Sequence, residues 1–177
     1  MNAQTDAAAD FEAIDTRLSN AGFTRAEHGV PDADADAMVY ARNGMTVAVI
    51  AYYEADCLDC IATTISGADW TAELGGAPGF LVIAAALSEA VVTDVGTYVR
   101  SSGWERADTW DGQGPGRILI TRRWTHQAHP GVAFIVRPGE GWDVERPDCP
   151  APMTFTRNTP SRLVTTALLA ERAFAGR

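Results

Sequence analysis

Helices and strands are predicted in an order that occurs twice along the chain. In the first stretch a helix spans about Asp10 to Ala21 and ends at Gly22, a residue suited to the left-handed conformation that closes a helix. Phe23 then opens a strand to His28, and a polar loop follows from Gly29 to Asp36. Two runs rich in Val, Ile and Tyr, Met38 to Arg42 and Thr46 to Tyr53, flank Asn43-Gly44, the strongest short signal for a hairpin. A further strand covers about Leu58 to Ile65. A helix then starts at Ala77-Pro78, with a buried stripe of Leu81, Val82, Ala85 and Ala86.

The second stretch reads the same way. A helix over about Val92 to Ser102 ends at Gly103, and Trp104 opens a strand to Asp108. A loop from Asp111 to Gly116 leads into Ile118 to Trp124 and Val132 to Arg137, joined by a longer loop through Thr125 to Gly131. A strand over about Trp142 to Glu145 follows. The last helix has Thr159 as N-cap, Pro160 at its first position, and a stripe of Leu163, Val164, Ala167 and Leu168.

The residues repeat along with the pattern. Thr16 to Glu27 aligns with Thr97 to Asp108, with identity at Thr16/Thr97, Gly22/Gly103, Arg25/Arg106 and Ala26/Ala107. Four identities in twelve compare with about one expected at average composition. Ala77 to Glu89 aligns with Thr159 to Glu171 through Pro78/Pro160, Leu81/Leu163, Val82/Val164, Ala85/Ala167, Leu87/Leu169 and Glu89/Glu171, at an offset only one residue different. Each unit is a helix, three or four antiparallel strands, and a helix, so two helices can cover one face of a meander. A unit of roughly 80 residues is marginal alone. The expected fold is α+β: internally duplicated helix–antiparallel β-meander–helix units packed as one pseudo-symmetric domain. A flexible acidic N-terminal tail (1–9) precedes a first, acidic repeat (10–91) and a second, mildly basic one (92–177).

The block Asp69-Trp70-Thr71-Ala72-Glu73-Leu74-Gly75-Gly76-Ala77-Pro78, running into the alanine-rich Leu81 to Leu87, resembles an uncharacterised duplicated actinobacterial domain family. Met153 to Thr156 with Thr159-Pro160, and Ser101-Ser102-Gly103-Trp104, are similar. That family is one of unknown function, so the resemblance implies a fold type and a source rather than a reaction.

Composition narrows the function. The 177 residues carry a net charge of −9, and every basic residue is arginine, which excludes a catalytic lysine. The total argues against a general nucleic-acid or anionic-membrane binder, since both need broad positive potential. Lysine-free, Ala-rich usage points to a GC-rich actinobacterial or actinophage source. The charge is uneven: residues 1–99 hold three arginines against fifteen acids, a balance of −12, and residues 100–177 hold eleven against eight, a balance of +3. The N-terminus has no basic segment followed by an apolar core, and the longest apolar run, Phe80 to Leu87, is far shorter than the roughly 20 residues of a membrane span. Three cysteines fit reduced thiols and a cytoplasmic location.

Several motifs carry potential chemistry. Cys57-Leu58-Asp59-Cys60 is a CxxC for which Cys149, His126 and His129 could complete a zinc set. Its place at the start of a strand puts residues i and i+3 on opposite faces, and no helix follows as a redox motif requires. His126-Gln127-Ala128-His129 reads as a solvated hairpin loop. Asp32-Ala-Asp34-Ala-Asp36 opens like a calcium loop but has Ala37 where glycine belongs and Asn43 where a glutamate belongs. Gly112-Gln-Gly114-Pro-Gly116 precedes a strand rather than the helix a phosphate loop needs. No local setting for a Ser-His-Asp or Cys-His arrangement occurs.

The expectation is a non-enzymatic protein-interaction or regulatory module with no cofactor and no metal. Its acidic copy, through Asp32, Asp34, Asp36, Glu54, Asp56 and Asp59, would dock a basic partner or mimic nucleic acid. An alternative is a nucleic-acid-associated protein using Arg117, Arg122, Arg123, Trp124 and Arg137, of which Arg122 and Arg123 face opposite ways. A small metal-dependent enzyme is the third reading. Acidic-to-basic association between copies of the chain would give a homo-oligomer. No membrane partner is expected.

Overall fold

The computed structural model describes residues 3–28, 35–54, 57–88, 94–111 and 116–170, with backbone only at 3–8, 26–28, 35–36, 52–54 and 57–60. The fold is mixed α+β, and the described residues form four helices and one ten-stranded antiparallel sheet. Helix α1 (Ala3–Asn20) is followed by β1 (Thr24–His28), β2 (Ala35–Arg42), β3 (Met45–Glu54), β4 (Cys57–Ser66), β5 (Thr71–Glu73) and α2 (Gly79–Ala86). Next come α3 (Val95–Ser101), β6 (Glu105–Asp111), β7 (Ile118–His126), β8 (His129–Arg137), β9 (Gly141–Glu145), β10 (Met153–Thr156) and α4 (Ser161–Leu169). Across the sheet the order is β1-β2-β3-β4-β5-β10-β9-β8-β7-β6, so β1 and β6 are its edges and β5 meets β10 at its middle.

The local signals act as their chemistry requires. Gly22 (φ 82°) and Gly103 (φ 79°) take the left-handed conformation after α1 and α3, and the Phe23 N–H reaches back to the Leu18 carbonyl at 3.0 Å. Asn43 (φ 51°) and Gly44 (φ 76°) both lie at positive φ, as the tight β2–β3 turn demands. Along β3 and β4, Val47, Val49, Ala51, Ile61 and Ile65 are buried while Ala48, Ile50, Ala62 and Thr64 between them are only half-buried. That is the alternation of a sheet covered on one face. The covered face also presents Tyr40, Ala72, Phe134, Val144, Met153 and Phe155, which form one core with Ile14 and Leu18 of α1, Leu81, Val82 and Ala85 of α2, Val95 and Val99 of α3, and Leu163, Val164 and Leu168 of α4. Each fully buried Val, Leu, Ile, Met or Phe among them contributes roughly 1.5–3 kcal/mol by leaving water.

The helices pack on one another as well as on the sheet: α1 on α2 and β4, α2 on α4, and α4 on α3, β8 and β9. Polar contacts fix these junctions. Asp10 Oδ2 of α1 accepts from the Gly79 N–H at 2.8 Å, satisfying the first turn of α2, and a Cβ at Gly79 would meet the Asp10 Cβ at 2.8 Å. Ser161 Oγ accepts from the Val95 N–H at 3.2 Å, and the Ser88 and Thr166 hydroxyls lie 2.8 Å apart. Tyr40 is 1% exposed; its hydroxyl donates to Asp15 Oδ1 at 2.8 Å, and burial, with Asp15 beside it, holds the phenol far above its ordinary range.

Several elements differ from the sequence expectation. Helix α1 starts at Ala3, seven residues before Asp10, in the alanine-rich run Ala7-Ala8-Ala9. Pro160, not Thr159, is the N-cap of α4, with extended backbone (φ −55°, ψ 129°) and no side-chain cap. The Thr159 hydroxyl donates instead to the Thr71 carbonyl at 3.1 Å, which ties α4 to the short strand β5. Strands β5 and β10 were outside the predicted pattern. They are three and four residues long, and only their mutual pairing, Ala72 with Phe155 and Glu73 with Thr154, joins the two parts of the sheet. No helix among the described residues is long and apolar enough to cross a membrane.

Candidate functional site

Two surface features stand out from this frame. The first is an outer arm made of β6 and β7. Helix α3 has seven residues where α1 has eighteen, and every residue of β6 except Asp108 is exposed. Among the described residues the exposed large hydrophobic side chains are Trp110 (39%), Ile118 (66%) and Ile120 (45%), and all three lie on this arm. Trp110 pairs with Leu119 and Asp111 with Ile118, and a register shift after Thr109 leaves Ile120 as the extra residue of β7. The Arg117 guanidinium sits 4.3 Å from the centre of the Trp110 ring, a stacked cation–π contact. Arg106 lies 5.9 Å from the Trp124 ring and binds Asp108, whose carboxyl it holds below the usual range, helped by Arg122 and Arg117.

The second feature is on the face of the sheet turned away from the core. A continuous row crosses the middle strands there: Thr64, Glu73, Thr154, Asp143, Ile135 and Arg123 are successive cross-strand partners. Asp143 is 4% exposed although it stands between Trp142 and Val144 in the strand. Arg137 Nη2 lies 2.6 Å from its Oδ2, but that oxygen has no aligned hydrogen-bond partner. Burial pushes the Asp143 carboxyl above the usual carboxylate range; Arg137 opposes the shift, and Glu140 and Glu145 add to it. Arg123 pairs with Glu145 at 2.6 Å alongside. A pocket of about 170 Å³ opens here, lined by Glu73, Arg137, Glu140, Asp143, Thr154 and neighbouring residues.

No family model, curated protein or solved structure matches this chain. Function therefore has to be argued from the placement of its own residues. Of the nominated basic set, Arg122 and Trp124 are cross-strand partners of core-facing Val136 and Phe134, whereas Arg123 and Arg137 lie on the opposite face within ion pairs. Arg117 stands apart over Trp110. The five residues do not form one patch. Of the nominated acidic set, Asp32, Asp34 and Asp56 lie outside the described residues; Asp36, Glu54 and Asp59 belong by backbone to β2, β3 and β4, Asp36 facing Ala51 and Glu54 facing Cys57 in the ladder.

Two details of the motif reading change. Cys57 pairs with Glu54, Leu58 with Tyr53 and Cys60 with Tyr52, so a register shift places the two cysteines two rungs apart. The strand here is not the unbroken one the sequence suggests, since its backbone register shifts between the two cysteines. His126 and His129 are not in a solvated loop: β7 and β8 run on to a two-residue turn, and the two histidines are the closing pair. Their ring centres lie 5.2 Å apart and 5.4 and 6.1 Å from buried Trp104, and His126 Nδ1 accepts from the Ala128 N–H. Cys149 is half-buried, and burial pushes its thiol up to about 11. Among the described residues no group of three or more His, Cys, Asp or Glu side chains is placed to hold a metal ion.

Sequence reading missed Asp143, Glu73, Trp110, Ile118 and Ile120. A charged residue between Trp142 and Val144 in a predicted strand was the available signal for the first. Ile118 and Ile120 lie at and beside a register shift in the ladder, which periodicity does not report.

Proposed function

We propose that this chain is a non-enzymatic interaction module made of two related halves, and that it docks a protein partner on the β6–β7 arm. The observation that carries this reading is that the exposed large hydrophobic side chains among the described residues, Trp110, Ile118 and Ile120, all lie on the two outermost strands at one edge of the sheet, Trp110 under Arg117 on one face and Ile118 on the other. Aromatic and arginine side chains are enriched where interfaces concentrate their energy, and an edge strand offers unpaired backbone groups to a partner. Exposed isoleucines on a soluble surface cost solubility and are accounted for when something covers them.

Duplication gives the module its two-sided character. The repeated residues fall on matching elements: Gly22 and Gly103 close α1 and α3, and Pro78 and Pro160 cap α2 and α4 with φ −56° and −55°. Each half has the order helix, five strands, helix, and the sheet order reads outward the same way from the β5–β10 junction. The halves then diverge in charge, −11 over residues 1–91 against +2 over residues 92–177, which suits one half for steering a basic partner and the other for contact. The nucleic-acid reading draws less support, because Arg106, Arg123 and Arg137 are each committed to a carboxylate. A cytoplasmic setting in an actinobacterial or actinophage source fits the composition.

The test compares capture from native-host lysate by the full chain and by an Ile118→Asp/Ile120→Ser variant, with and without nuclease. A protein retained by the former, lost by the latter and indifferent to nuclease supports the reading. Material removed by nuclease overturns it in favour of nucleic acid.

A further inference from the structure

The pocket at the middle of the open face is separate from the β6–β7 arm and has a chemistry of its own. Its charged lining is three carboxylates, Glu73, Glu140 and Asp143, against one guanidinium, Arg137. The hydroxyls nearby are committed. Thr154 Oγ1 donates to Glu73 Oε2 at 3.4 Å, and Thr156 Oγ1 accepts from the Thr71 N–H at 2.8 Å and donates to the Thr71 carbonyl. An anion entering here would find Arg137 as its one charged donor among three carboxylates. A cation meets the opposite situation.

Asp143 is the deciding group. It lines the pocket, its side chain is 5% exposed, and Oδ2 has no aligned hydrogen-bond donor although Arg137 Nη2 is near. A carboxylate has about four lone-pair sites, and leaving them unmet in a buried place is costly. Arg137 answers the charge from the rim as an ion pair, its own side chain 47% exposed, without an aligned hydrogen bond to Oδ2. The volume of about 170 Å³ equals that of five or six waters at roughly 30 Å³ each, enough for a group of about six heavy atoms.

We propose that this pocket binds a small organic cation, a guanidinium or primary ammonium group, which donates hydrogen bonds to Asp143 and is flanked by Glu73. Arg137 is the internal competitor that occupies the rim of the site when no ligand is bound. The planar guanidinium is the better match, because two parallel N–H groups can meet one carboxylate.

The test is a titration of the isotopically labelled full chain, followed by amide NMR, with ethylguanidinium chloride, ethylammonium chloride and the neutral isostere ethylurea. Saturable shifts at Glu73, Asp143 and Thr154 with a dissociation constant on the order of 1–10 mM are expected for the cations and not for ethylurea. Asp143→Asn should weaken binding about tenfold or more, and Glu73→Gln, at an exposed rim position, by a few-fold. Arg137→Ala should tighten it, since the competitor is gone. The same group presented in an Ala-Arg-Ala peptide tells the source: tighter binding than the free probe points to a partner's arginine side chain, weaker binding to a free small cation. No saturable shift up to about 50 mM, equal binding of ethylurea, or affinity unchanged by Glu73→Gln and Asp143→Asn overturns the proposal.

Discussion

Arg137 and Asp143 stand on adjacent strands of the open face, with Nη2 2.6 Å from Oδ2, and the two are unequal: the guanidinium is half in water and the carboxylate is almost wholly out of it. The carboxyl is harder to ionise folded than unfolded, so its ionisation works against the fold. Stability from this site is greatest below the carboxylate range and falls as pH rises from about 4 through the raised folded value. Removing Arg137 takes away the one group that favours the charge, while Glu140 and Glu145 remain. Arg137→Ala should therefore cost about 1–2 kcal/mol at pH 7, less than a fully buried pair because the arginine is solvated. Asp143→Asn should change stability by less than about 1 kcal/mol. Urea unfolding at pH 7 and pH 3.5 checks both, and the Arg137→Ala deficit should shrink at the lower pH.

Arg146 is predicted to behave in the opposite sense. Its side chain is 9% exposed, grips Asp148 with two hydrogen bonds of 2.8 and 2.9 Å, and donates to the Ala167 and Leu168 carbonyls at the end of α4. The arginine thus satisfies orphan carbonyls and places positive charge at a helix C-terminus. Arg146→Ala should cost about 2–3 kcal/mol. Arg146 also holds the Asp148 carboxyl below its usual range, so this stability is present above about pH 4 and is lost as pH falls through the lowered value. A chemical-denaturation series against pH should show that acid loss in the native chain and a smaller one in the variant.

Gly141 is fixed by a close approach of two strands. Its φ is 141°, and a Cβ there would lie 2.1 Å from the Phe155 carbonyl oxygen. Gly141→Ala should destabilise by roughly 3 kcal/mol, because both the conformation and the space are wrong for a side chain. Thermal unfolding measures it, and loss of the pocket should accompany it since Gly141 is part of the lining.

Cys149 should be inert in the native chain. With its thiol pushed up to about 11, chiefly by burial, on the order of one molecule in a thousand carries the thiolate at pH 8. Iodoacetamide labelling read by peptide mapping should leave Cys149 unmodified when folded and label it in urea.

Much of the fold was legible because its signals are local. Gly22, Asn43-Gly44 and Gly103 needed conformations few residues adopt, and the stripes Leu81 to Ala86 and Leu163 to Leu168 have a helical period that burial follows directly. What was not legible depends on contacts across the molecule. Thr159 looks like an N-cap until Thr71 competes for its hydroxyl; the strand at Cys57 and Cys60 looks regular until a register shift interrupts it; His126 and His129 look solvated until Trp104 is beside them. The site residues follow the same division. Arg137 was nominated for its charge, whereas Asp143 matters for its burial, which is a property of the assembled sheet. Likewise Ile118 and Ile120 read as ordinary strand residues, and their exposure, with the register shift after Thr109, belongs to the assembled sheet.

If the β6–β7 arm is an interface, folding and capture measured on the same variant must come apart. An Ile118→Asp chain should unfold within about 0.5 kcal/mol of the original, because Ile118 is 66% exposed and little of it leaves water on folding. This equally stable chain should no longer retain, from nuclease-treated native-host lysate, the protein the original retains. Equal retention by both chains would contradict it.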